Sequence, residues 1–213
     1  MYCTVCNSSV DSFNDPQLDK KFYQCPHCEL IFLDKKFYVA PIAEKKQYDN
    51  HNNSFEDSGY VQMFENFLNF FWDDIKENTK TALDFGCGPG PVLYELIKRR
   101  NVKSDCYDKF YQTQKIYENK KYDLITSTEV FEHLDNPKEV LNFLTTLLNN
   151  NGVIALMTLF HTNKQSDFLK WWYRRDPTHI TFFTPKCIEI MANECGLNVI
   201  KHDNKRIIIL QKK

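Results

Sequence analysis

Glycine and alanine are scarce in this chain of 213 residues, at six and five, and three of the six glycines fall within five positions of one another. No apolar run approaches the length of a bilayer-spanning helix, so no segment is expected to cross a membrane in that form. Neither charge is in excess: 27 Lys and Arg face 28 Asp and Glu, a net charge of -1. That balance excludes a protein held to nucleic acid by bulk charge alone, although a local patch could survive it. The opening residues Met1-Tyr2-Cys3 show no basic stretch leading into an apolar one, so no secretion signal is expected and a reducing, cytoplasmic setting is. No G-x-x-x-x-G-K-[ST] occurs, which excludes that triphosphate cradle. What remains, 42% hydrophobic and 26% charged residues, suits a globular chain that buries roughly 70% of its unfolded surface.

Cysteine is the abundant exception. Of eight, Cys3 with Cys6 and Cys25 with Cys28 form two C-x2-C pairs set well apart in the chain. Each pair makes a knuckle that aims two thiolates at one point, and two knuckles close a tetrahedral zinc site. Phe22-Tyr23-Gln24 and Leu30-Ile31-Phe32-Leu33 read as the strands of a hairpin around it, so residues 1–33 are expected to be a zinc ribbon held together by its metal. His27 lies between Cys25 and Cys28, an awkward place for a substitute ligand. Cys87, Cys106, Cys187 and Cys195 sit among apolar neighbours and read as small buried hydrophobes.

Residues 34–58 are polar and turn-rich, and read as a linker or a cap draped over a site. Tyr60, Phe64, Phe67, Leu68, Phe71 and Ile75 recur at helical spacing, which predicts an amphipathic helix and closes a linker-and-cap segment over 34–78. From 79 to 213 strand and helix alternate. Strands are expected at 81–85, 102–107, 122–128 and 153–159, with helices from Pro91, Pro137 and Pro185, and two closing strands at 197–201 and 206–210. That order is α/β: a doubly wound sheet with an antiparallel last strand.

The sharpest chemical signal is Leu83-Asp84-Phe85-Gly86-Cys87-Gly88-Pro89-Gly90, between a strand and a helix. Glycines there let backbone pass close beneath a ligand, and the helix start offers free N–H groups. Asp108 ends the next strand, at a remove from Gly90 that suits a carboxylate on the hydroxyls of a ribose. The pattern is G-x-G-x-G, not the G-x-G-x-x-G of dinucleotide folds.

These residues resemble motif I and the motif II acid of the class I S-adenosylmethionine (SAM)-dependent methyltransferases, which have a Rossmann-like sheet. Tyr122-Asp123-Leu124-Ile125, followed by Glu129-Val130-Phe131-Glu132-His133-Leu134, is similar to their fourth-strand motif. With the cysteine pairs and Asp176-Pro177-Thr178-His179, the layout resembles a group of small bacterial methyltransferases with an N-terminal zinc-binding segment. The resemblance implies that Asp84, Gly86, Cys87, Gly88 and Gly90 surround the methionine part of SAM, that Asp108 binds its ribose, and that Thr128 and Glu129 flank the sulfonium. Only the stretch from Lys109 to Tyr122 separates Asp108 from Asp123, too short for the family's usual helix, third strand and further helix. The acid that commonly reads the adenine amino group is therefore missing or replaced, and Phe110 or Tyr111 could stack on adenine instead. Tyr48 and His51, in the polar segment, could cover the cofactor.

Similar E-x-x-E-H segments occur in ubiquinone-biosynthesis O-methyltransferases, where the resemblance would imply a divalent metal on Glu129, Glu132 and His133. The favoured alternative has Glu129 orienting SAM, Glu132 partly exposed and His133 packed against the next helix. Trp171-Trp172-Tyr173-Arg174-Arg175-Asp176-Pro177-Thr178-His179 could clamp a planar or anionic acceptor, with His179 as general base, or form an aromatic lid closed by an Arg–Asp salt bridge. His179, His133 and Glu129 are thus the catalytic candidates. A small-molecule acceptor is expected. An RNA methyltransferase is the first rival, but residues 1–50 hold six Lys, no Arg and seven acids, a poor phosphate-tracking surface. A non-catalytic SAM-binding protein is the second.

Overall fold

The computed structural model describes residues 1–49 and 54–213. At the N-terminus, β1 (Asp11–Asp15) and β2 (Lys20–Gln24) form a hairpin, and β3 (Ile31–Leu33) lies antiparallel on β2. The polar segment contains a helix, α1 (Pro41–Tyr48). No residue of α1 is buried, which is why apolar periodicity could not reveal it. Local chemistry builds it instead: Pro at the first turn, a Tyr48–Glu44 hydrogen bond of 2.7 Å and a Lys45–Asp49 pair at 2.9 Å, each spanning one turn.

The expected amphipathic helix is α2 (Ser58–Ile75), capped by the Asp57 carboxylate on the Tyr60 amide at 3.0 Å. Its buried stripe, Phe64, Phe67, Leu68, Phe71 and Ile75, contributes roughly 1.5–3 kcal/mol per large side chain. Then follow β4 (Thr81–Phe85), α3 (Val92–Lys98), β5 (Lys103–Tyr107), β6 (Tyr122–Thr128), α4 (Pro137–Thr146) and β7 (Leu148–Met157). The short α5 (Gln165–Phe168) and β8 (Thr181–Phe182) precede α6 (Pro185–Glu194), β9 (Leu197–His202) and β10 (Ile207–Lys212).

The main sheet runs β5-β4-β6-β7-β10-β9. The first four strands are parallel, and β10 is antiparallel to both its neighbours, as the alternation predicted. Side chains alternate between its faces. Ala82, Leu124, Ala155 and Ile209 pack with α2 and α3, whereas Leu83, Ile125, Ile154 and Leu210 pack with the α4 and α6 side. Among the described residues, 109–121 form no helix and no strand of the main sheet, so β5 is the edge of the sheet, covered in part by Tyr117 set edge-on to Tyr107 and Phe143.

The N-terminal strands do not stand apart. The second sheet has the order β1-β2-β3-β8, so its fourth strand comes from the segment that carries His179. Cys3, Val5, Cys25, Cys28 and Leu30 share one apolar cluster with Cys187, Ile188 and Met191 of α6.

Candidate active site

At the end of β4 the chain turns through Gly86 (φ 86°) and Gly88 (φ 67°), left-handed positions that glycine adopts without strain. The Gly86 and Cys87 amides both donate to the Tyr107 carbonyl, at 2.7 and 3.2 Å, and bind the loop to β5. Gly90 accepts from the Val92 amide as α3 begins. Asp108, just past β5, is fastened to the same loop. Its Oδ2 accepts from the Gly88 amide at 3.1 Å, and its Oδ1 from the amides of Phe110 and Tyr111 at 2.7 and 3.1 Å.

Asp84 is buried beneath the loop and accepts from Thr126 Oγ1 at 2.9 Å. Burial pushes its carboxyl up to about 7, assisted by the charge of Asp108. Because the folded form holds a proton that the unfolded chain releases near pH 4, Asp84 costs the ligand-free protein stability as pH rises toward 7. Relative to an Asp84→Asn variant, the wild type is expected to lose about 1.4 kcal/mol for each pH unit between about 4 and 7. Urea unfolding of both proteins at pH 5 and pH 7.5 measures this; parallel curves would refute it.

At the end of β6, Thr128 is buried, and Glu129 after it takes a left-handed turn (φ 53°), its amide on the Met157 carbonyl at 2.8 Å. Glu132 corrects the expectation of partial exposure, being 0% exposed. The Tyr173 hydroxyl lies 2.9 Å from Glu129 Oε2 and 2.5 Å from Glu132 Oε1. One phenol proton cannot serve two carboxylates. Burial and the charge of Glu129 push Glu132 well above the usual carboxylate range. We therefore read Glu132 as a neutral acid donating to Tyr173, which donates to Glu129. The Glu129 carboxyl is itself raised, again by burial.

Two imidazoles adjoin this group, their rings 4.8 Å apart. His133 Nδ1 is 3.0 Å from the Thr178 carbonyl and His179 Nδ1 is 2.8 Å from that of Tyr173. A carbonyl only accepts, so each Nδ1 carries the proton and each Nε2 is left unprotonated in the neutral ring. Burial depresses His133 to about 3, so it stays neutral at physiological pH. One donor atom each from Glu132, His133 and His179 lies within 4.8 Å of the others, and these groups could hold a divalent cation. His179 takes the place that the motif alone gave to Glu129.

Helix α1 lies across this region. Tyr48 meets His133 edge-on at 5.1 Å and Phe110 at 5.9 Å, and Gln47 Nε2 donates to Asp176 Oδ2 at 3.3 Å. Lys109 pairs with Glu44, and Tyr111 donates to Asp49. His51, the other candidate in this segment, lies outside the described residues.

A family model described as a methyltransferase domain matches residues 55–202. The chain belongs to this methyltransferase family. Its sequence is 28% identical over 113 residues to the ubiquinone biosynthesis O-methyltransferase of Glaesserella parasuis serovar 5 (strain SH0165), covering 40% of this chain and 48% of that one. The chain thus spans about half the length of the curated relative it matches. In fold it is similar to mitomycin 7-O-methyltransferase, with TM-score 0.61, 11% identity, and coverage of 81% of this chain and 58% of that one. It is also similar to a sarcosine dimethylglycine methyltransferase homologue from Galdieria sulphuraria, with TM-score 0.56, 14% identity, and coverage of 72% and 86%.

In this chain the loop residues, Asp108, Phe110, Tyr48 and the two histidines come together along one end of the parallel strands, where open α/β sheets bind ligands. Three further residues join them. Tyr60 of α2, read from its spacing as a core residue, has its phenol pushed up by burial and by the carboxylates of Asp84 and Glu129. Glu132 and Tyr173 complete the carboxylate group. The expected Arg–Asp bridge within 171–179 is not formed by Arg174, whose partner is Asp15 of β1, at 2.7 Å.

At the N-terminus the four cysteine sulfurs lie within 4.8 Å of one another, with Cys3–Cys28 at 3.4 Å and Cys6–Cys25 at 3.5 Å. Asn7 and Glu29 close the two knuckles in left-handed conformations, their amides on the carbonyls of Cys3 and Cys25. His27 is exposed and outside the cluster.

Proposed function

We propose that this methyltransferase methylates a hydroxyl group of a small molecule, with His179 as the proton acceptor and four-cysteine zinc at the N-terminus. The observation that carries the reading is the tautomer of His179, set by the Tyr173 carbonyl, which leaves Nε2 as the basic nitrogen. Burial holds His133 near a pKa of about 3, so it stays neutral and serves as a wall of the site.

The donor set suits SAM. Its ammonium and sulfonium are cationic, and Asp84 and Glu129 offer carboxyl groups beside a glycine loop open to close approach, with Asp108 placed for the ribose hydroxyls. When bound, SAM supplies an electrophilic methyl group. The chain's task is then alignment, exclusion of water and removal of the acceptor's proton. Glu129 lies against the sulfonium side in this reading, fixed by Tyr173. Tyr48 and Phe110 flank the adenosine side, in place of the missing adenine-reading acid.

The cysteine geometry suits zinc. Sulfurs about 2.3 Å from a central ion stand about 3.8 Å apart at the corners of a tetrahedron, close to the observed spacing. A small-molecule acceptor agrees with the surface. Residues 1–50 hold seven acids against six lysines, and two of those lysines, Lys35 and Lys45, are paired with Asp135 and Asp49, so the segment carries no net positive charge for phosphates.

The test supplies tritiated SAM with a small-molecule cell extract in one arm and bulk tRNA and rRNA in the other. Label is expected in the small-molecule arm, and His179→Ala is expected to lower it by about 10²–10⁴-fold with SAM affinity unchanged. Undiminished turnover would remove His179 as base, and salt-sensitive labelling of RNA would replace the acceptor class.

A further inference from the structure

We infer that Asp15, in the N-terminal ribbon, is a positioning residue for the acceptor side of the active site, acting through Arg174 on Tyr173 and His179. The inference rests on the placement of His179 at the acceptor.

Asp15 ends β1 and is held by its own turn, its Oδ1 accepting from the amides of Gln17 and Leu18 at 2.9 and 3.2 Å. Its Oδ2 lies 2.7 Å from Arg174 Nε, with both side chains at 1% exposure or less. The two atoms are in charge contact without the alignment of a hydrogen bond. The other guanidinium nitrogens donate to Gln17 Oε1 at 2.7 Å and to the Trp171 carbonyl at 3.0 Å. Arg174 is thus gripped between the ribbon turn at 15–17 and the turn at 171–175.

Tyr173 precedes it in sequence and faces the other way. Its hydroxyl meets Glu129 and Glu132, its carbonyl accepts from His179 Nδ1, and its ring lies 4.1 Å from the His179 ring. A rotation of the 171–175 turn would therefore move the carbonyl that sets the His179 tautomer. The far side of the same segment is tied down too. Leu33 of β3 donates to the Ile180 carbonyl, and the Ile180 amide donates to the Glu132 carbonyl, both at 2.8 Å. One hydrogen-bonded row runs from ribbon strand to Ile180 to Glu132.

A buried ion pair is an inefficient way to gain stability, because apolar side chains of similar volume commonly hold a fold as well. An Arg between a carboxylate, an amide oxygen and a carbonyl instead fixes one orientation of its backbone. That argues for positioning.

The experiment uses the whole 213-residue chain, zinc-loaded, with ¹⁵N-labelled histidine, and reads the tautomer of His179 by long-range ¹H–¹⁵N correlation. Wild type is expected to show the Nδ1–H form. Asp15→Asn is expected to give a tautomer mixture. Asp15→Glu is expected to restore much of the Nδ1–H form. If Asp15→Asn does not fold, the apolar pair Asp15→Leu with Arg174→Met carries the test, folded but mixed in tautomer. A pure Nδ1–H His179 in either folded variant would overturn the inference and leave the pair a structural contact. The tautomer does not depend on turnover. A failure of His179 as base, seen in His179→Ala kinetics, is therefore distinguishable from a failure of the clamp.

Discussion

Gly86→Ala is expected to abolish measurable SAM binding. At φ 86° any L-residue with a Cβ is strained, and a Cβ built there falls 2.2 Å from Val130 Cγ2. The left-handed backbone costs roughly 1 kcal/mol and the overpacking about 1–3 kcal/mol, so the folded state should lose about 2–4 kcal/mol. Binding should suffer more than stability. Val130 follows Glu129, so the displacement falls on the turn that carries a carboxylate of the site. A loss of at least about 100-fold in SAM affinity, about 2.7 kcal/mol, is expected by calorimetry. The double variant with Val130→Ala removes the clashing methyl and should recover part of the stability but retain the backbone strain. If the double variant is no more stable than Gly86→Ala, the steric account is wrong; if Gly86→Ala binds SAM normally, the loop is not the cofactor site.

Cys25→Ser is expected to have the second large effect, emptying the N-terminal site of zinc and loosening much more than the ribbon itself. Binding free energies of about 10–16 kcal/mol for structural zinc in small peptides act as folding free energy, and they bound what can be lost. Here the loss should spread. Cys3, Cys25 and Cys28 are buried to 3% or less in a cluster continuous with Cys187, Ile188 and Met191, and β3 pairs with β8. Metal analysis should fall from one zinc per chain to almost none. Hydrogen exchange should rise over residues 1–33 and 171–183, with β4 and the glycine loop little changed. An unaltered melting curve with no bound metal would show that the knuckles need no ion.

Much of this was legible in the chain itself, for identifiable reasons. Strand and helix order could be read because β4, β6 and β7 are buried runs and α2 repeats its apolar residues every three or four positions. The glycine loop and the cysteine knuckles could be read because their chemistry is local: positive φ and paired thiolates need particular residues at fixed short spacing. Helix α1 could not, since none of its residues is buried and the periodic signal is absent. Glu132 illustrates another limit. Between Phe131 and His133 nothing marks it as fully buried; only the arrival of Tyr173, far along the chain, supplies a partner for it. Tyr60 fitted the apolar stripe of α2, and its place beside Asp84 and Glu129 depends on where that helix starts over the sheet.

The sequence by itself determined the class of sheet, the glycine loop with Asp84 and Asp108 on either side of it, and the four-cysteine cluster, because each follows from periodicity or from spacing over a few residues. The tertiary structure alone decided which groups meet across the chain: Glu132 with Tyr173, His133 with His179, and Asp15 with Arg174. Those pairings arise where β8 joins the N-terminal hairpin and where the ends of parallel strands converge. Their partners stand dozens to more than a hundred positions apart, and no local pattern encodes a contact at that separation.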